Sequence, residues 1–185
     1  MPPMSDLPYL RIDRLHERHP GLTQALSDCY AEAASVCWSR HHEPPINVSL
    51  KHDDTEELRV VTFAIPDGQV RKAHANEIDA TETGAYCVSL AAVEDIAGLV
   101  AVGRAETLTG ADWYVAPNDA EIEDLESCIP LEVSGISSGA SSDINRRLRE
   151  NLAQAARGDS NLPAIAAVVG FKALEVAISP LGAKG

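Results

Sequence analysis

Apolar positions recur along this chain with two periods, and the changes from one to the other divide it into elements. From Leu22 to Arg40 the residues Leu22, Ala25, Leu26, Cys29, Ala33, Val36 and Cys37 fall at helical spacing, which predicts an amphipathic packing helix that stops before Pro44-Pro45. Ile46 to Lys51 alternates apolar with polar residues, and Leu58 to Ile65 is a denser apolar run; with Asp53-Asp54-Thr55 as turn material the pair predicts a β-hairpin. Pro66-Asp67-Gly68 ends the hairpin, and a polar segment leads on to Asn76. Asp79 to Ala97 carries Ala85, Val88, Leu90, Ala91, Val93 and Ala97 on an apolar surface, a long helix capped by Asp79 or Thr81 and stopped by Gly98.

Beyond Gly98 the period shortens. Leu99 to Ala105, Ala111 to Ala116 and Ile129 to Ser134 read as strands, the last two joined by an acidic loop from Asn118 to Ser127. The Ser/Gly-rich stretch after Gly135 supplies Ser141, Ser142 or Asp143 as N-cap of a helix running to about Arg157. Ala164 to Phe171 is then a near-continuous apolar strand, with Leu174 to Ile178 as a possible partner. The proline-spaced first twenty residues read as an irregular arm, or a short helical piece around Tyr9 to His19, docked on the body. The pattern predicts an α/β protein with a mixed sheet: residues 1–75 form an arm, helix and hairpin packed on an α-β-β-β-α-β core in residues 76–185, together one compact domain.

Composition narrows the function classes. At 185 residues and 45% hydrophobic the chain can fill one core. It has no apolar run long enough to cross a membrane, and a polar N-terminus unlike a signal peptide, so a cytoplasmic location and no membrane partner are expected. Cys29, Cys37, Cys87 and Cys128 form no CxxC pair and read as buried thiols. A net charge of -13 excludes gripping nucleic acid through the overall field, so any such contact must be local. Arg146, Arg147 and Arg149 on the later helix are the best basic segment, with Arg146 and Arg147 as the candidate phosphate contacts and a solvated helix face as the simpler alternative. His41-His42-Glu43 lacks the spacing of a metal-binding pair and reads as a solvated helix end.

The candidate chemistry lies between Thr109 and Gly135, where Asp112 opens the apolar run Trp113 to Val115 and Glu132 sits inside Ile129 to Val133. A carboxylate is costly to bury unless paired, hydrogen-bonded or bound to metal, so two on neighbouring strands suggest a shared ligand. For either acid alone, a strand end facing water is the simpler reading.

With the α-β-β-β-α-β order these residues resemble the PD-(D/E)XK nuclease superfamily, the restriction-endonuclease-like fold, over roughly residues 76 to 171. Gly110-Ala111-Asp112 followed by Trp113-Tyr114 resembles the strand-borne aspartate motif, and Leu131-Glu132-Val133-Ser134 stands in the place of the (D/E)-X-K motif. Glu82 could be the helix acid, and Gln154 resembles the glutamine found on the following helix in several branches. The resemblance implies that Asp112 and Glu132 hold Mg²⁺ (or Mn²⁺), with Glu82 as third acid or orienting group and Ser134 and Gln154 as polar positioners. The activity implied is a metal-dependent nuclease acting on DNA or RNA, or a nuclease-like subunit of a larger protein complex, such as a bacterial mobile-element or phage-defence system. Ser134 departs from the pattern, standing where the family has lysine; serine can position water but carries no charge. The alternative implied is a catalytically inactive binding or regulatory module on the same fold. A further alternative is an α/β domain whose site lies in the N-terminal helix and hairpin.

Overall fold

The computed structural model describes residues 6–106, 110–121, 127–155 and 163–180, without the side chains of residues 154, 155 and 180. The expected acidic loop and the turn after the last helix fall in part outside these residues.

The first helix, α1 (Gln24–Ser39), starts where Thr23 accepts a hydrogen bond from the Leu26 N–H. The hairpin follows as β1 (Ile46–His52) and β2 (Thr55–Val61), its turn helped by Asp53 at φ 51°. The sequence pattern extends the second strand to Ile65, but the ladder ends at the pair Ile46↔Val61. Pro44 and Pro45 precede Ile46 and offer no N–H to continue it. The polar connector holds a short helix, α2 (Gly68–Ala73), that periodicity did not predict: the Asp67 carboxylate accepts from the N–H groups of Gln69 and Val70. The long helix, α3 (Glu77–Ala97), is capped by Asn76 rather than Asp79 or Thr81, because the Asn76 amide oxygen takes the Ile78 and Asp79 N–H groups. It stops at Gly98, which adopts φ 63°.

The remaining elements are β3 (Leu99–Arg104), β4 (Trp113–Pro117), β5 (Ile129–Ile136), α4 (Ser141–Ala155), β6 (Ile165–Gly170) and β7 (Glu175–Pro180). They join the hairpin in one mixed seven-stranded sheet ordered β2-β1-β7-β6-β5-β4-β3. β3, β4 and β5 form an antiparallel meander, β6 lies parallel to β5, and β1 lies parallel to β7. The arm docks on the edge of β2, where Leu10 N–H donates to Val60 O and Val60 N–H to Pro8 O, each at 2.9 Å.

Adjacent strand residues face opposite ways, and the two cores follow from that. Val169 of β6 belongs with Val133, Val176 and the buried faces of α1 and α3, whereas its neighbour Val168 packs with Ile144 of α4 and Ala177. Helices α3 and α4 therefore cover opposite faces of the sheet. α1 packs closely on α3: a Cβ on Gly84 would stand 2.9 Å from the Ala34 nitrogen. None of the helices among the described residues is long and apolar enough to cross a membrane.

Candidate functional site

β4 and β5 bring the two expected acids together. Their register pairs Trp113 with Leu131, and carried one step back it sets Asp112 across from Glu132. Asp112 lies just before β4, and its N–H donates to Leu131 O at 2.8 Å. Its carboxylate Oδ2 accepts the Val133 N–H at 2.8 Å, replacing a ladder carbonyl beyond the last β4–β5 pair.

The other oxygen, Asp112 Oδ1, faces the Tyr86 hydroxyl of α3 at 3.1 Å. That hydroxyl also lies 2.7 Å from Glu82 Oε1, one helical turn away. Arg104 Nη2 donates to the same phenolic oxygen at 3.0 Å and stands 3.8 Å from Asp112 Oδ1. A phenol has one proton, and burial pushes the Tyr86 phenol up, so it stays protonated and can serve only one carboxylate at a time. Burial likewise holds Asp112 above the usual carboxylate range, against the Val133 N–H, Tyr86 and Arg104, which all lower it. Glu132 is pushed up to about 7, first by burial and then by the charge of Asp112, with Arg147 opposing.

Glu132 Oε2 is buried with no hydrogen-bond partner among the described residues. Two adjacent carboxylates, one oxygen of which has lost its water without gaining a donor, fit a hard divalent cation. No three His, Cys, Asp or Glu residues gather into a ligand set among the described residues. Mg²⁺ keeps several waters and is commonly held by one or two carboxylates, so Asp112 and Glu132 suffice in number.

Comparison with protein family models, with curated proteins and with solved structures finds no match.

A cleft of about 470 Å³ opens beside the acids, lined by Glu77, Thr81 and Glu82 of α3, Val133 to Gly135 of β5, and Arg147 of α4. The cleft depends on Gly135, where a Cβ would stand 2.5 Å from the Thr81 carbonyl. Of the expected residues, Glu82 and Arg147 line the cleft, and Asp112 and Glu132 flank its Val133 wall, Asp112 through the Val133 N–H and Glu132 as its neighbour in β5. Ser134 lies on the cleft wall, its Oγ accepting from Asn151 Nδ2 of α4 at 3.0 Å. Arg146 is turned outward, bonded to Asp143 at 2.8 Å and 3.9 Å from Glu150. Gln154 falls in the last turn of α4, and its side chain lies outside the described residues.

Sequence reasoning missed Tyr86, Arg104 and Asn151. A tyrosine on the buried face of a helix reads as core, and Arg104, at the end of an apolar run, reads as a solvated strand end. Its guanidinium lies 4.4 Å from the centre of the Tyr86 ring and 5.1 Å from that of Trp113, a cation held over two aromatic faces. The only available sequence signal was an arginine placed one residue beyond a glycine within a strand, a position where bulges concentrate.

Proposed function

We propose that the chain carries a divalent-metal-dependent phosphodiesterase site acting on DNA or RNA, on a restriction-endonuclease-like core over residues 76–171. The carrying observation is the buried, unpartnered Glu132 Oε2 beside Asp112. Asp112 and Glu132 would hold Mg²⁺ or Mn²⁺, which when bound polarises a phosphoryl oxygen and lowers the pKa of coordinated water. The protein's own groups have separate tasks. Val133 N–H fixes the Asp112 carboxylate, and the Tyr86 hydroxyl, within reach of Asp112 and of Glu82 as an orienting acid, donates to one of the two at a time. Arg104, fully charged and next to Asp112, supplies the positive charge that Ser134 does not, and stabilises developing negative charge on a phosphoryl group. Arg147 on the cleft wall offers a phosphate contact.

A second reading has its own support. Both Asp112 oxygens already face protein groups, and the Ser134 hydroxyl is engaged by Asn151, which suits an inactive binding module or a subunit that functions only within a larger assembly.

The test is cleavage of labelled single- and double-stranded DNA and RNA by the purified chain, in Mg²⁺ or Mn²⁺ and in EDTA, beside calorimetric metal titration. Metal-dependent cleavage is expected to fall by about 100-fold or more in Asp112→Asn and in Glu132→Gln, with unchanged circular dichroism. Metal heat that is the same in both variants as in wild type would sink the metal site. Metal binding without cleavage, with cleavage gained in Ser134→Lys, would favour the module lacking one group.

A further inference from the structure

The cleft has a second end. Its lining follows β5 from Val133 and ends at Ser137, one residue past the strand. Ser137 stands there beside Arg40, His41 and His42, which follow α1, and Lys172, in the turn between β6 and β7. Their contacts close a ring. Lys172 N–H donates to Ser137 O at 3.1 Å, and His42 Nε2 donates to Lys172 O at 3.0 Å. The His41 and His42 rings lie 6.1 Å apart between centres, and His41 hydrogen-bonds the Ser137 backbone.

Three polar atoms in this corner are buried without a partner among the described residues: the donors Arg40 Nη1 and Ser137 Oγ, and His41 Nε2, which donates when the ring is protonated. Arg40 spends its other terminal nitrogen on His74 O at 3.4 Å. Among the described residues no carboxylate bonds to any of these five side chains; the acids on the cleft wall are Glu77 and Glu82 of α3. In a chain of net charge -13, a basic corner left unpaired is a departure from the overall field. Unsatisfied buried donors are unfavourable, and an oxyanion bringing several acceptors would satisfy Arg40 and Ser137, and His41 as it takes up a proton.

We propose that this corner is a phosphate subsite of the cleft, in which Ser137, His41, Arg40 and Lys172 take a backbone phosphate of a nucleic acid strand lying along β5. The strand, though not the phosphate, rests on the phosphodiesterase reading above. Burial and then the positive charges of His42, Lys172 and Arg40 lower the pKa of His41, and an anion here would offset the part due to charge.

The test uses the full chain in EDTA, so that no result depends on metal at the acidic end. Inorganic phosphate is titrated while the histidine ring signals are followed by NMR, and a short labelled single-stranded oligonucleotide is titrated by fluorescence anisotropy. Phosphate should move the His41 and His42 signals, and Lys172→Gln and His41→Gln should each weaken both ligands by about tenfold, while Arg11→Gln on the exposed arm changes little. Lys172 is exposed, so its variant is expected to fold. Affinities unchanged in Lys172→Gln and His41→Gln, or lowered equally by Arg11→Gln, would overturn the subsite. Phosphate binding lost in those variants, with no oligonucleotide bound by wild type, would keep the subsite and overturn the strand.

Discussion

At the scale of single residues, the chemistry turns on who holds a proton. Glu132 has a folded value near 7 against the ordinary 4.5. Between those values the native protein keeps a proton that the unfolded chain has lost, so stability falls as pH rises through that window and levels off above it. Glu132→Gln should therefore stabilise the metal-free protein at pH 8, by about 1–2 kcal/mol once solvent screening of a partly exposed group is discounted, and hardly at all at pH 4.5. Urea unfolding at both values checks this, and a gain that is larger at pH 4.5 would contradict it. Metal binding must expel the same proton, so affinity should rise from pH 6 to pH 8. The two strand acids were legible in the sequence because a carboxylate inside an apolar run is out of place. Tyr86, whose hydroxyl stands between Glu82 and Asp112, was hidden because its ring serves the core and only its hydroxyl serves the site.

At the scale of elements, one irregularity aims the site. The β3–β4 register shifts between Ala101 and Gly103, so that Arg104 pairs with Trp113 instead of lying one place further along. A bulge reverses the facing of everything beyond it. Simple alternation from Ala101 would turn Arg104 away from Tyr86, which is why strand patterning could not find it. The arm preceding α1 holds the bulge in place: Gly21 N–H donates to Ala101 O at 2.8 Å, and the Ala101 N–H donates to His19 Nδ1 at 2.9 Å. A Cβ on Gly21 would stand 2.6 Å from the backbone of Val102 and Gly103. Gly21→Ala should cost about 1–3 kcal/mol in thermal or urea unfolding and lower any cleavage activity further than the lost stability explains. Full activity in a destabilised Gly21→Ala would show that the bulge supports the fold alone. The long helices and most strands were legible from periodicity, whereas α2 was not, since it rests on a single carboxylate cap within a polar stretch.

At the scale of the whole molecule, the sheet removes any seam between the first 75 residues and the rest. β1 and β2 continue it through β7, and Leu50 of β1 is buried in the same core as Val176 of β7. Sequence patterning showed a hairpin but not its partner, because parallel pairing between strands so far apart leaves no local mark. The two tryptophans report on different regions: Trp38 packs on Phe63 and Phe171, and Trp113 on Tyr30 and Tyr86. Urea transitions followed by tryptophan fluorescence and by far-ultraviolet circular dichroism should superimpose. Leu50→Ala should shift both together by about 2–5 kcal/mol. Separated transitions would mean that the hairpin and α1 unfold as a unit of their own.

The pairing of β1 with β7 also bears on how the protein is made. Ser49 lies opposite Glu175, so the hairpin leaves the ribosome about 125 residues ahead of the strand that completes it. At about 5–20 residues per second, that leaves one edge of β1 open for roughly 6–25 s. An open edge invites pairing with another nascent chain, and lysine is a common guard against it. Lys51 stands on that edge; once β7 arrives, its ammonium closes on Glu175 at 2.9 Å, and the guard of the unfinished sheet becomes a clasp of the finished one.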